Sequence, residues 1–115
     1  MSGENPDLLA TAEALDAART ALEKAKDATE DPACYTALNE QLIALQQRVA
    51  KVDGLIFAQR SQAISDAAAG VAAAQGQLAD ALQDIQNLNR TIGTVTAFLG
   101  LVDKVIATAA AVGLG

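Results

Sequence analysis

The stretch YTALNEQLIALQQRVAKVDGLI, residues 35–56, has the most regular apolar pattern in the chain. Apolar side chains recur at alternating spacings of three and four residues, at Tyr35, Leu38, Leu42, Leu45, Val49, Val52 and Ile56. Such a repeat places one narrow apolar stripe along an α-helix, which is the pattern of helices that pack against other helices. It predicts an all-α protein with coiled-coil-like heptad packing.

Two similar signals mark where the first helices begin. Each is an N-capping residue followed by proline, Asn5-Pro6 and Asp31-Pro32, and proline suits the first helical position. The first signal predicts a helix over about residues 6–30, and the second predicts one over about residues 32–55. The first helix has its own stripe of leucines seven residues apart, at Leu8, Leu15 and Leu22.

A second apolar repeat follows and is shifted by one residue relative to the first. Its members are Ile64, Ala67, Val71, Ala74, Leu78, Ala81, Ile85, Leu88, Ile92, Val95, Leu99, Val102 and Ile106. A turn near residues 53–61, where Asp53-Gly54 and Ser61 lie, explains the shift. The alternative is one continuous helix that absorbs the shift through an 11-residue spacing.

The polar cluster of residues 87–91 indicates a second break, with Thr91 as the cap of a last helix. This gives helices over about residues 61–89 and 91–112, unless the helix continues through the cluster. The expected architecture is a small antiparallel bundle of three or four helices in a single domain, residues 1–115.

Charge and residue types exclude several classes of function. The chain has a net charge of −6 and no basic stripe, which argues against nucleic-acid binding. It has no histidine, which removes the commonest general base and metal ligand. Asp80 and Asp84 lie one helical turn apart, but on a solvent face, and Cys34 fits a small buried residue. We expect no catalytic, cofactor, metal or small-molecule site, and no enzymatic activity.

The N-terminal sequence and the single cysteine indicate the same cellular location. The N-terminal sequence MSGENPDLLA has neither a basic segment nor the long apolar segment of a secretory signal. A lone cysteine forms no intrachain disulfide. Both features predict a cytoplasmic protein, or one exported without a cleaved signal peptide.

The most unusual segment is TIGTVTAFLGLVDKVIATAAAVGLG, residues 91–115, whose only charges are Asp103 and Lys104. The heptad register puts both charges on the solvent side. It also puts Phe98, Leu101 and Val105 at positions that a two-helix stripe leaves exposed. A helix that is apolar over most of its circumference is buried centrally in a bundle, or it meets a partner or lipid, and in the last two cases we expect these three residues to make the contact.

Two glycines of this segment, Gly93 and Gly100, lie seven residues apart on one helix face. A glycine inside a helix costs about 1 kcal/mol relative to alanine. Close approach of another backbone is the expected compensation, because small residues permit it in soluble bundles and in membranes.

These features predict a non-enzymatic structural or interaction protein. The bundle is expected to associate with itself or with another helical protein through its apolar C-terminal helix. The alternative is a soluble protein active on membrane or lipid surfaces, similar to a pore-forming component or an amphipathic coat protein. In that case segment 91–115 is released onto lipid.

Overall fold

The computed structural model describes residues 3–83 and 87–112, and these residues form four α-helices. The helices are α1 (Pro6–Ala28), α2 (Pro32–Gly54), α3 (Gln62–Gln83) and α4 (Leu88–Val112). The described part of the chain contains no β-strand. The helices pack on one another along a body of 47 × 22 × 20 Å. The prediction of an all-α helical bundle is confirmed, with four helices.

Both predicted N-caps start their helices as expected. The Asn5 side-chain oxygen accepts hydrogen bonds from the backbone N–H groups of Asp7 (2.8 Å) and Leu8 (3.3 Å). The Asp31 carboxylate accepts one from the N–H of Ala33, at 3.0 Å. In each case the cap satisfies amides that have no partner within the helix, and proline occupies the first turn.

The order of the helices in space differs from their order in the chain. α1 contacts α2 and α3, and α4 contacts α2 and α3. α2 and α3, both described from end to end, do not contact each other and stand on a diagonal. The chain therefore crosses the end of the bundle in the connection 55–61. Consecutive helices are antiparallel, whereas the neighbours α1 and α3 are parallel, as are α2 and α4.

Asn5 holds this connection against the start of α1. Its backbone N–H donates to the carbonyl oxygen of Ile56 at 2.7 Å. Its side-chain Nδ2 donates to the carbonyl oxygens of Ala58 (3.1 Å) and Gln59 (3.3 Å). The residue is only 1% exposed. One side chain thus caps α1 and also binds the connection, a role that the capping pattern did not predict.

The turn predicted near residues 53–61 is confirmed at residues 55–61. Leu55 and Ala58 continue out of α2 with backbone bonds to carbonyls three residues earlier. Ser61 then caps α3, because its Oγ accepts from the N–H of Ile64 at 3.1 Å. The shift between the two apolar repeats reflects this change of direction.

The second break lies earlier in the chain than predicted. α3 ends at Gln83 and α4 already begins at Leu88. Asn87 caps α4 in place of Thr91, since its side-chain oxygen accepts from the N–H of Arg90 at 3.1 Å. Thr91 is a buried helical residue whose hydroxyl donates to the Asn87 carbonyl four positions earlier. Thr91 therefore belongs to the body of the helix.

The core follows the predicted stripes with one exception. Tyr35 is 45% exposed, because it lies in the first turn of α2 at the end of the bundle. Its ring lies under the ammonium of Lys26, with Nζ 5.3 Å from the ring centroid. Ile85 of the second repeat lies outside the described residues. The stripe residues that are fully buried are Leu8, Leu15, Leu22, Leu38, Leu45, Val52, Ile64, Val71, Leu78, Val95 and Val102.

Candidate interaction surface

The residues expected to contact a partner or lipid lie on the inner side of α4. Phe98 is 1% exposed and Val105 is 0% exposed, so both belong to the core of the bundle. Leu101 is half-buried and packs beside the core. The expectation of exposure at Phe98 and Val105 was wrong, because it assumed that α4 packs against one helix. α4 instead lies between α3 and α2, which widens the arc that it buries.

Leu101 marks the edge of the contact between α4 and α3. A Cβ atom placed on Gly70 of α3 would lie 3.7 Å from Leu101 Cδ2, which is ordinary van der Waals distance. The leucine therefore covers the glycine from outside the core. Of the three expected contact residues, it is the one that solvent still reaches.

The outward side of α4 is a stripe of small residues. Gly93, Ala97, Gly100, Ala107 and Ala111 are all exposed, and they share one helix face with the exposed Lys104, which lies between Gly100 and Ala107. We call these five residues the small-residue face. Side chains this small allow the axis of another helix to come close.

The two glycines of the small-residue face have no compensation inside the chain. A Cβ atom placed on Gly93 or on Gly100 would meet no atom within 4 Å. The expected close approach of another backbone is therefore not made within one molecule. Each glycine still costs the helix about 1 kcal/mol relative to alanine.

Asp103 and Lys104, the two charges of segment 91–115, lie on the solvent side of α4, as predicted. Asp103 pairs with Arg48 of α2 through two bonds of 3.0 Å, Nε to Oδ1 and Nη2 to Oδ2. Such a bidentate pair fixes the register of α4 against α2. Its side chains are 23% (Arg48) and 49% (Asp103) exposed, so water weakens the attraction. Lys104 is exposed beside it.

A polar cleft lies at the other end of α4, with a volume of about 630 Å³. Its lining is Gln77, Asp80, Ala81, Asn87, Arg90, Thr91 and Thr94. Asp80 is exposed there, as the sequence predicted, whereas Asp84 lies outside the described residues. Thr91 and Asn87 already bond to each other and to the backbone of α4. The Thr94 hydroxyl likewise donates to the backbone carbonyl of Arg90, so three of the polar side chains that line the cleft bond to the backbone of its own edge.

The described residues offer no site for metal chemistry. Within residues 3–83 and 87–112, no group of three or more His, Cys, Asp or Glu side chains is placed to hold an ion. Cys34 is a buried free thiol in the first turns of α2. The side chains of the described residues also include no buried polar atom without a hydrogen-bond partner. The surface of α4 is therefore the main functional candidate.

Comparison with protein-family models, with curated proteins and with solved structures gives no match to this chain. Among the described residues, one helix is long and apolar enough to cross a membrane. It is α4, whose most apolar window has a mean hydropathy of 1.8 and is one-third (33%) buried in the bundle. A core helix of a soluble bundle passes the same test of length and composition.

Proposed function

We propose that this chain is a non-enzymatic structural or interaction protein that associates with itself or with another helical protein through α4. The observation that carries the proposal is the pair of exposed glycines, Gly93 and Gly100, in the middle of α4. Both lower helix stability, and a Cβ at either would meet no other helix of the described residues within 4 Å. A second helix packed on the small-residue face would use the space that they leave.

The charge distribution supports the same face. α1 and α2 carry most of the charged residues of the chain, whereas α3 and α4 are rich in alanine, glycine and threonine. A chain of net charge −6 repels copies of itself and other acidic proteins at its charged helices. An approach along the small-residue face meets Lys104 within it, Arg90 one turn before Gly93 and Asp103 beside it, and Asp103 is already paired.

Sedimentation velocity of the full chain over a wide concentration range tests this proposal. Gly93→Gln and Gly100→Gln place a long side chain on the small-residue face, and we expect either to remove the association made through this face. Gly76→Gln is the matched control, because Gly76 is an exposed helical glycine of α3 with no atom within 4 Å of its Cβ position. An association constant that neither α4 change lowers, or that Gly76→Gln lowers equally, contradicts a role for this face.

The second candidate function is activity on a membrane or lipid surface, and the length and hydropathy of α4 favour it. Release of α4 would bring Phe98, Leu101 and Val105 into contact with lipid. Flotation of the full chain with neutral lipid vesicles tests this function. Leu101→Lys should reduce flotation sharply, because a charge within an inserted helix costs about 3 kcal/mol. Ile43→Lys, at an apolar residue of α2 that is 49% exposed, is the control.

A further inference from the structure

The first half of the connection between α2 and α3 is close to helical already. Its sequence, LIFAQRS at residues 55–61, contains neither glycine nor proline. Leu55, Ile56 and Ala58 donate to carbonyls three residues earlier, so the backbone leaves α2 in a tight helical turn. No proline follows Pro32 anywhere in the chain. The local sequence therefore does not forbid one continuous helix through α2 and α3.

Asn5 occupies the backbone groups that such a helix needs. Its three donor bonds end on the carbonyl oxygens of Ile56, Ala58 and Gln59. In a continuous α-helix each of these carbonyls would accept from the amide four residues later. Asn5 and the helix thus compete for the same acceptors. While the Asn5 bonds are made, the chain turns back and α3 packs against α1.

Because α2 and α3 lie on a diagonal, they can join end to end without losing contacts with each other. Since α2 and α3 do not contact each other, joining them end to end breaks no α2–α3 packing. It does separate two hairpins, α1–α2 and α3–α4, whose inner faces are both apolar. The surface that matches each opened hairpin exists on a second copy of the same chain.

We propose that this protein forms a dimer by exchanging its α3–α4 hairpin with a second copy. In the dimer, α2 and α3 of each chain join into one helix through residues 55–61. The α3–α4 hairpin of one chain then packs on the α1–α2 hairpin of the other, with the contacts that close the monomer. Asn5 holds the monomer closed. This dimer goes beyond association through the small-residue face, which it leaves free.

Few contacts determine the equilibrium between the closed monomer and the exchanged dimer. Exchange reproduces the α1–α3 and α2–α4 contacts between chains, so little packing is gained or lost. The dimer loses the Asn5 bonds to the connection and gains helical bonds there. It therefore accumulates with rising concentration, and its fraction rises when the Asn5 amide is removed.

The Arg48–Asp103 pair provides the decisive test, because it joins the two hairpins. Arg48→Asp and Asp103→Arg each place like charges at this contact in a closed chain. In an exchanged heterodimer of the two variants, each contact again joins one arginine to one aspartate. The two variants are unfolded together and refolded at equal concentrations. Native mass spectrometry then measures the amounts of the two homodimers and the heterodimer.

We expect the square of the heterodimer concentration, divided by the product of the two homodimer concentrations, to exceed its statistical value by about tenfold, since two repulsive contacts become two attractive ones. Dimers in statistical proportion would mean that the chains dock by an outer face and that the hairpins stay in place. Monomers alone would mean that no exchange occurs. Either result overturns the proposal, and the first of them leaves the function proposed for α4 intact.

Three further variants test whether the Asn5 amide and the connection 55–61 control the exchange. Asn5→Ser keeps a good capping oxygen but removes the amide donors, and we expect it to lower the dimer dissociation constant about a thousandfold, since two closed chains each lose two bonds that the dimer does not make. Asp31→Ser, the same change of cap type at α2, should leave that constant unchanged. Arg60→Pro blocks a continuous helix and, combined with Gly93→Gln, should leave only monomer by light scattering. An equal shift in Asp31→Ser, or a persistent dimer in a folded chain that carries both Arg60→Pro and Gly93→Gln, contradicts exchange.

Discussion

Replacing Asn5 by alanine should destabilise this protein far more than the loss of an ordinary helix cap. The Asn5 side chain accepts from the amides of Asp7 and Leu8 and donates to the carbonyls of Ala58 and Gln59. Asn5→Ala removes all of these bonds and leaves polar groups beside the core without partners. The backbone N–H of residue 5 keeps its own bond to the connection.

The magnitude follows from the two roles of the side chain. Loss of the cap costs about 1 kcal/mol. Each of the two bonds to the connection contributes about 1 kcal/mol net. The expected loss is thus about 3 kcal/mol, a large part of the roughly 5–15 kcal/mol that stabilise a typical domain. For a chain of this length it lowers Tm by about 12 °C.

Asp31→Ala is the matched control, because Asp31 is also an N-cap before proline but is exposed, and its side chain makes only the cap bond. It should cost about 1 kcal/mol. Asn5→Ser should fall between the two, at about 2 kcal/mol, since it keeps the cap and loses the amide. Urea unfolding followed by circular dichroism at low micromolar concentration measures all three. An Asn5→Ala loss that matches Asp31→Ala refutes the assigned role of Asn5.

Three other measurements test the description of α4 and the core. Gly93→Ala and Gly100→Ala should each raise the free energy of unfolding by about 0.5–1 kcal/mol, as measured in urea, because both sites are helical with open space at Cβ. Phe98→Ala should cost about 3–5 kcal/mol as a buried core truncation, whereas half-buried Leu101 should cost clearly less; equal losses would mean that Phe98 is not core. Cys34 should react with a thiol reagent only at the rate of unfolding, and rapid reaction in the folded protein would contradict its burial.

Local signals in the sequence predicted the helices well. Asn5-Pro6 and Asp31-Pro32 start α1 and α2 because capping and proline chemistry act within one turn of the chain. The apolar repeats predicted which side of each helix is buried for the same reason, since spacing along a helix determines its faces. Tyr35 departs from its repeat because it lies where the bundle ends and no helix remains to cover it.

The break before α4 was harder to place, because its cap competes with neighbouring polar residues. Asn87 and Thr91 are both good capping residues, and the apolar repeat passes both without a change of phase. The tertiary structure selects Asn87, since Leu88 and Ile92 then pack against the core within one helix. Spacing alone does not distinguish these two starts.

The burial of α4 depends on how many neighbours the helix has. The heptad register assumes one partner helix, and for one partner Phe98 and Val105 lie outside the contact. Between α2 and α3 the buried arc is wider, so both residues enter the core and the exposed side narrows to small residues. The apolar stripe of one helix does not indicate how many other helices pack against it.

The sequence by itself determined the all-α class, the start of the first two helices and the inward side of each helix, because these depend on neighbours a few residues apart. Only the tertiary structure decided the diagonal order of the helices, the core position of Phe98 and Val105, and the bonds from Asn5 to the connection 55–61. Each of these joins groups that are far apart in the chain, as when Asn5 Nδ2 meets the carbonyl of Ala58. Such contacts depend on packing in three dimensions, which the spacing of residues along one helix does not predict.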